Sequence, residues 1–243
     1  MTTTNEPGMH LGKLIQARSL QPLEDLPIPV KELCARYEKL YTSAVNDVLR
    51  EMALLDQTLP HSILPLREQM KVAGPAFTIK GAKSLLVKDE MLERAEMLES
   101  IPEDSVVAWD TSGDDESAQW GEVMTMAAIK RGCRGAVVDG GVRDTDRVLS
   151  QGFPVFVRYR TSNGMLGRFR ILGYQVPIKI GNVCINPGDV VFGDIDGVIV
   201  VPRNLAYDVL LRAEEIVAGE SEIKRWIREG MSARDVARRG GYF

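Results

Sequence analysis

Val176-Pro-Ile-Lys-Ile-Gly-Asn-Val-Cys-Ile-Asn-Pro-Gly-Asp-Val-Val-Phe-Gly-Asp-Ile-Asp-Gly-Val-Ile-Val-Val201 is the stretch that decides the fold. Short apolar runs at 176–180, 183–185, 189–192 and 198–201 are split by Gly181-Asn182, Pro187-Gly188 and Asp196-Gly197. Glycine and asparagine reach the φ > 0 conformations that tight turns need, and proline presets φ. The spacing therefore predicts successive strands with no helix between them. Upstream the pattern differs. Ser105-Val-Val-Ala-Trp109, Gly135-Ala-Val-Val138 and the run 153–159 read as strands, interleaved with helical stretches at 122–130 and 145–150. The run from Gly135 lacks polar alternation, as a parallel strand covered on both faces does. A TIM barrel would need a helix after each of its eight strands, which 176–201 does not supply. The chain is predicted to be an α/β protein, a sandwich of helices and sheets with mixed strand order.

Apolar positions from Leu33 to Met52 fall at helical spacing, with Thr42 or Ser43 placed to cap a fresh helix inside the run. Lys71-Val-Ala-Gly-Pro-Ala-Phe-Thr-Ile-Lys80 reads as a strand entered through Gly74-Pro75, 85–98 as a helix, and 205–228 as a long amphipathic helix. Three segments follow: a polar arm at 1–29 carrying Pro22, Pro27 and Pro29, a main domain at 30–230, and a tail at 231–243. The arm is expected either to wrap a neighbour or to be loosely held.

Bulk properties exclude several classes. The 243 residues carry a net charge of −4, so the basic excess of a nucleic-acid binder is missing. No apolar run approaches the roughly 18 residues of a membrane span, and the N-terminus lacks a secretory pattern. Cys34, Cys133 and Cys184 show no Cys-x-x-Cys spacing and are expected to be reduced core thiols of a cytoplasmic protein. With only His10 and His61, a His-rich zinc site lacks ligands, and both are expected at the surface. Dinucleotide, Walker A and Gly-x-Ser-x-Gly signatures are also missing.

Gly121-Glu-Val-Met124 opens a helix, and 21 positions after Glu122 comes Arg143-Asp144, inside Asp139-Gly-Gly-Val-Arg-Asp-Thr-Asp146. The order helix, strand, tight turn would set a guanidinium beside a carboxylate at a strand exit. Such a pair suits a small anion held together with a cation. The helix start adds N–H donors for the anion, Arg143 a planar fork, and Asp144 a hard oxygen ligand for Mg2+ or Mn2+. The plainer alternative makes Asp144 the N-cap of the helix at 145 and Gly140-Gly141 ordinary turn glycines. Three other candidates each carry a plain reading. Asp114-Asp115-Glu116 is a metal loop or a solvated one. Asp194 and Asp196 are ligands or parts of a hairpin turn. Lys80 is a Schiff-base lysine or a solvated strand end.

Gly121-Glu-Val-Met124, the block from Arg131 to Asp144, and Pro187-Gly-Asp-Val-Val-Phe-Gly-Asp-Ile-Asp-Gly-Val-Ile-Val-Val-Pro202 resemble the RraA-like family. That family contains class II 4-hydroxy-4-methyl-2-oxoglutarate/4-carboxy-4-hydroxy-2-oxoadipate aldolases and regulators of ribonuclease E. Tyr41-Thr-Ser-Ala-Val-Asn-Asp-Val-Leu49 is similar to the family's early helix, and the likeness runs over about 40–215. The resemblance implies an α-β-β-α sandwich with mixed sheets, of the swivelling β/β/α type, assembled as homotrimers or homohexamers with sites between subunits. It implies a metal-dependent lyase that cleaves a 4-hydroxy-2-oxo (di)carboxylate to pyruvate and a second oxo acid, with oxaloacetate decarboxylation as an accessible side reaction. Gly121, Glu122, Val123, Met124 and Arg143 would bind the 2-oxo acid, Glu122 and Arg143 would act in catalysis, and Asp144 would hold the divalent metal. The other branch of the resemblance is a non-catalytic regulator that binds a protein. One departure stands out: where the aldolases usually carry an acid, this chain has Arg147, with Asp146 one position earlier.

Overall fold

The computed structural model describes residues 11–19, 23 and 25–241. The arm contributes helix α1 (Gly12–Arg18), and its later residues Leu26 and Ile28 pack on the domain's own core. The helical run divides near Thr42, where a fresh helix is expected, into α2 (Val30–Tyr37) and α3 (Thr42–Glu51). Thr42 does not cap α3. Its backbone N–H and its hydroxyl both donate to the Asp194 carboxylate, each at 2.8 Å, so a residue 152 positions away caps the helix. A carboxylate at that end also complements the helix dipole.

Strands β1 (Leu64–Pro65) and β2 (Val72–Lys83) follow. Helix α4 (Glu90–Glu99) starts five residues later than its apolar pattern suggests, because Asp89 takes a left-handed φ of 63°. Then come β3 (Val106–Asp110), β4 (Ala118–Trp120), α5 (Glu122–Lys130), β5 (Gly135–Val142), α6 (Thr145–Ser150) and β6 (Val155–Arg160). Next are β7 (Phe169–Tyr174), β8 (Ile178–Ile180), β9 (Val183–Ile185), β10 (Val190–Asp194) and β11 (Gly197–Val201). The chain ends in α7 (Ala206–Arg228) and α8 (Ala233–Arg238). Helix α8 lies in the stretch expected to be a tail, and Ser232 caps it by accepting from the Asp235 N–H.

The strands of 176–201 are present as two hairpins, β8–β9 and β10–β11. The main sheet runs β1-β6-β5-β3-β2-β10-β11, with β4 beside β5 and β7 beside β2. It is mixed: β2, β3, β5 and β6 pair in parallel, whereas β10 and β7 pair antiparallel to β2. Long β2 is the shared strand. Its first four residues pair with β10, and from Ala76 onward it pairs with β3 and β7. Helices α2, α3 and α7 bury Leu33, Tyr37, Leu49 and Leu210 against Phe192 and Val201 on one side. On the other side Phe77, Trp109, Trp120 and Phe169 pack with Met97 of α4 and Ala128 of α5. Between them, Ile63, Phe156, Ile180 and Val191 form an inner apolar layer. Helices therefore cover strands on both faces, the mixed α/β architecture expected.

Cys34 and Cys133 are buried, and burial pushes the Cys34 thiol up to about 12. Cys184 departs from expectation: it faces outward from β9 and is exposed. His61 is exposed, as expected, and His10 lies outside the described residues. No helix among the described residues is long and apolar enough to cross a membrane.

Candidate active site

Asp139-Gly140-Gly141 is strand, not turn. All three belong to β5, and Gly140 and Gly141 are there because of close approach. A Cβ on Gly140 would sit 2.1 Å from Gln119 Oε1, and one on Gly141 would sit 2.4 Å from the Tyr159 ring. Gln119 lies across the strand, accepting from the Gly141 N–H at 3.0 Å while its own amide donates to Asp114 at 2.5 Å. The neighbouring Asp139 is pushed above its ordinary range by burial, against the pull of Arg158 at 2.9 Å. This packing carries β5 four residues farther than its apolar run, to Val142, and delivers Arg143 and Asp144 at its end.

There the chain turns sharply. Asp144 occupies the N-cap position of α6 with φ 51° and ψ 37°, yet its side chain makes no cap hydrogen bond. The plain capping reading is therefore not what the fold uses. The carboxylate instead lies 3.3 Å from Arg143 Nε, and both residues line a cleft of about 460 Å³. A non-glycine residue held in the left-handed region costs on the order of 1 kcal/mol, and such positions concentrate at functional sites.

The first turn of α5 forms the adjoining edge. Gly121 is its N-cap residue, and no side chain caps the helix. Thr125 fixes this corner: its hydroxyl donates to the Gly121 carbonyl at 3.0 Å and accepts from Trp120 Nε1 at 2.9 Å. Gly121, Glu122, Val123 and Met124 line the same cleft as Arg143 and Asp144. All the residues named by the resemblance are thus brought together. Glu122 pairs with Arg147 at 3.2 Å, so the basic residue found where an acid is usual acts as partner to Glu122. Asp146 is exposed on α6 and is not part of the cleft lining.

A Cβ on Gly121 would meet Arg143 Cγ at 3.2 Å and Asp144 Oδ2 at 3.3 Å. Its backbone is extended, so Gly121→Ala is expected to fold normally while displacing both groups by a few tenths of an ångström. We expect about a tenfold fall in kcat/KM with an unchanged melting midpoint, since small misplacements near reacting groups are costly. Unchanged turnover would mean that these two groups need no such close support.

Lys80 and the acidic loop fall outside the lining. Lys80 pairs with buried Asp110 at 2.6 Å. Asp114 is buried and accepts from Gln119 and the Ser117 N–H, while Asp115 and Glu116 sit on Lys83 at 2.9 and 3.2 Å. Asp194 and Asp196 flank the β10–β11 hairpin, as the turn reading has it. Among the described residues no three His, Cys, Asp or Glu side chains converge on a common point. Part of the cleft comes from residues the sequence reading did not single out: Met91, Arg94, Ala95 and Leu98 of α4, and Gly164, Met165 and Leu166 of the loop before β7. Gly164 lies so near Arg143 that a Cβ would stand 2.7 Å from Nη1.

A family model described as RraA-like, Aldolase/RraA, matches residues 42–200. A protein of Halalkalibacterium halodurans with the provisional name 4-hydroxy-4-methyl-2-oxoglutarate aldolase is 32% identical over 202 residues, 83% of this chain and 91% of that one. Protein DlpA of Legionella pneumophila is 32% identical over 169 residues, 70% of this chain but 28% of its own length. A crystal structure described as novel cellulases from gut-associated microbes is 54% identical, with a TM-score of 0.85, covering 88% of this chain and 96% of that one. RraAS2 of Streptomyces coelicolor, described as an unusual member of the RNase ES inhibitor RraA family, matches at 25% identity and a TM-score of 0.74, over 82% of this chain and 99% of that one. With the family model matching residues 42–200, the Halalkalibacterium halodurans relative at 32% identity and the mixed sheet in agreement, the chain belongs to the RraA-like family.

Proposed function

We propose that this protein is a divalent-cation-dependent carbon–carbon lyase of 4-hydroxy-2-oxo acids, releasing pyruvate and a second carbonyl compound. The supporting observation is the Asp144 carboxylate, which declines its capping role and faces the cleft beside Arg143. One hard carboxylate donor fits Mg2+ or Mn2+, which keep several waters and take further oxygens from substrate. Asp144 would hold the cation, which when bound draws electron density from the keto oxygen.

The chain's own groups supply the rest. First-turn N–H groups of α5, at Glu122–Met124, receive the substrate carboxylate. Arg143 faces the keto oxygen, where negative charge grows as the C3–C4 bond breaks. Glu122 takes the C4 hydroxyl proton as that carbon becomes a carbonyl, and Arg147 holds the Glu122 carboxylate in position. The electron pair released to C3 is finally quenched by a proton, giving pyruvate. The direct test is pyruvate release from 4-hydroxy-2-oxo acids with Mg2+ or Mn2+, abolished by EDTA and restored by metal. Activity that survives EDTA would overturn the cation's role.

Glu122→Gln separates two chemistries. Without a proton acceptor, retro-aldol cleavage is expected to fall about 100-fold. Oxaloacetate decarboxylation has no hydroxyl to deprotonate and should fall far less. Both activities on one preparation cancel differences in folding and metal content. Equal losses would make Glu122 a positioning group only.

The same reading carries self-association into a homotrimer or homohexamer. Leu85, Leu86, Val87 and Leu92 stand exposed in and before α4, the helix that also lines the cleft, and exposed apolar patches mark association surfaces. Light scattering is expected to give a multiple of 26.9 kDa, and a lone monomer at micromolar concentration would overturn this. The likeness to RraAS2 favours the second reading, a regulator that binds a ribonuclease. That reading expects no metal-dependent pyruvate release from any 4-hydroxy-2-oxo acid.

A further inference from the structure

We propose that Arg94 is the specificity-determining residue of this cleft, receiving a second carboxylate at the far end of the 2-oxo acid. The placement of the oxo-acid head at Arg143, Asp144 and the start of α5 rests on the lyase reading; the state of Arg94 does not. Arg94 belongs to the part of the lining that α4 supplies, with Met91, Ala95 and Leu98. Its side chain is only 17% exposed. A guanidinium so placed is costly to keep, because its charge is largely withdrawn from water. Glu90, one helical turn earlier, offsets part of that cost: it is 1% exposed and accepts from Arg94 Nη2. The match is incomplete. Among the described residues Nη2 is the one Arg94 nitrogen that meets an acceptor, and Nε is buried without any. Glu90 Oε2 is buried without a partner too. Should those two close into a fork, the Nη1 edge would still be left for a ligand.

The neighbouring acids are already matched elsewhere. Glu93 gives both oxygens to Arg170, Glu122 pairs with Arg147, and Asp144 with Arg143. The donors that Arg94 keeps therefore suit an acceptor brought by the ligand. A carboxylate takes parallel N–H bonds from one guanidinium edge, which fixes its orientation as well as its charge. Among methionine, alanine and leucine side chains such a bond is weakly screened. It therefore discriminates sharply between a charged and an uncharged tail.

Isothermal calorimetry on the full chain, with Mg2+ or Mn2+ present, compares 2-oxoglutarate with 5-methyl-2-oxohexanoate, which carries methyl groups where the diacid carries its distal oxygens. The diacid is expected to bind about tenfold or more tightly. Arg94→Met should lower its affinity by about tenfold and leave the alkyl acid bound as before or tighter. That variant strands Glu90, so Glu90→Leu/Arg94→Met is measured beside it; the double change leaves no unpaired buried charge, and apolar replacement of a buried ion pair is often tolerated. Equal binding of the two acids by the unaltered protein, or tighter binding of the alkyl acid, overturns the proposal. So does a double variant, shown to be folded by circular dichroism, that keeps full affinity for the diacid or loses both acids alike, since Arg94 would then only shape the wall. Pyruvate release from 4-hydroxy-2-oxoglutarate is followed in parallel. Arg94-dependent preference for the diacid without any pyruvate supports this proposal and removes the lyase reading. Pyruvate release without that preference keeps the lyase reading and removes this proposal. Binding of neither acid removes both.

Discussion

Arg143→Lys is expected to lower kcat/KM for pyruvate release by about 100-fold or more, with the fold intact. The guanidinium is held in one plane by two neighbours: Asp144 Oδ2 lies 3.3 Å from Nε, and Gly164 leaves room for Nη1 to lie against its backbone. One edge thus meets the Asp144 carboxylate while, on the proposed mechanism, the other N–H groups remain for the keto oxygen. An ammonium keeps the charge but offers no second edge, so it must choose between Asp144 and substrate. The Arg143 side chain is half exposed, so the stability change should stay within about 0.5 kcal/mol. Measured kcat/KM beside a denaturation midpoint checks this. Near-normal turnover would remove Arg143 from the mechanism.

Asp144→Asn is expected to cut activity by about two orders of magnitude, the usual scale for one preorganised electrostatic group, and to recover partly as Mg2+ or Mn2+ is raised. Stability should scarcely change, for reasons visible in the backbone. Asparagine tolerates the left-handed conformation at φ 51° as aspartate does, and no capping hydrogen bond is lost because none is made. Asp144→Ala would add a backbone penalty of about 1 kcal/mol, so the amide is the cleaner variant. A metal titration of activity, run on both proteins, gives the comparison. An unaltered metal requirement would return Asp144 to a structural role.

The site's ionic half was legible in the chain because local signals limit its elements. Gly121 precedes α5, Asp144 precedes α6, and both helices span the predicted residues. The hairpins of 176–201 were legible for the same reason: turn residues punctuate them. Gly140-Gly141 misled because a glycine pair looks alike whether it bends the chain or admits a neighbour; only the crossing Gln119 and the Tyr159 ring separate the two. Strand β7 gave no warning, since its Phe-Arg-Ile-Leu-Gly-Tyr run offers no clean alternation. The apolar half of the cleft was invisible for a deeper reason. Residues 91–98 and 164–166 meet residues 121–124 and 143–144 through tertiary packing alone, and no spacing in one sequence encodes that meeting.

The bond from Thr42 to Asp194 and the sharing of β2 by β3, β7 and β10 also bear on how the molecule comes into being. During synthesis, α2 and α3 leave the ribosome long before the hairpin that caps and covers them. Helix α2 meets β2 early, but until β10 pairs with Val72–Pro75 and β11 and α7 follow, Leu33, Tyr37, Val45 and Leu49 lack Phe192, Val201 and Leu210, the rest of their core. Such high contact order slows folding and leaves apolar surface open to aggregation in the meantime. Helices α2 and α3 thus carry apolar faces that are fully covered only once β10, β11 and α7 have been made.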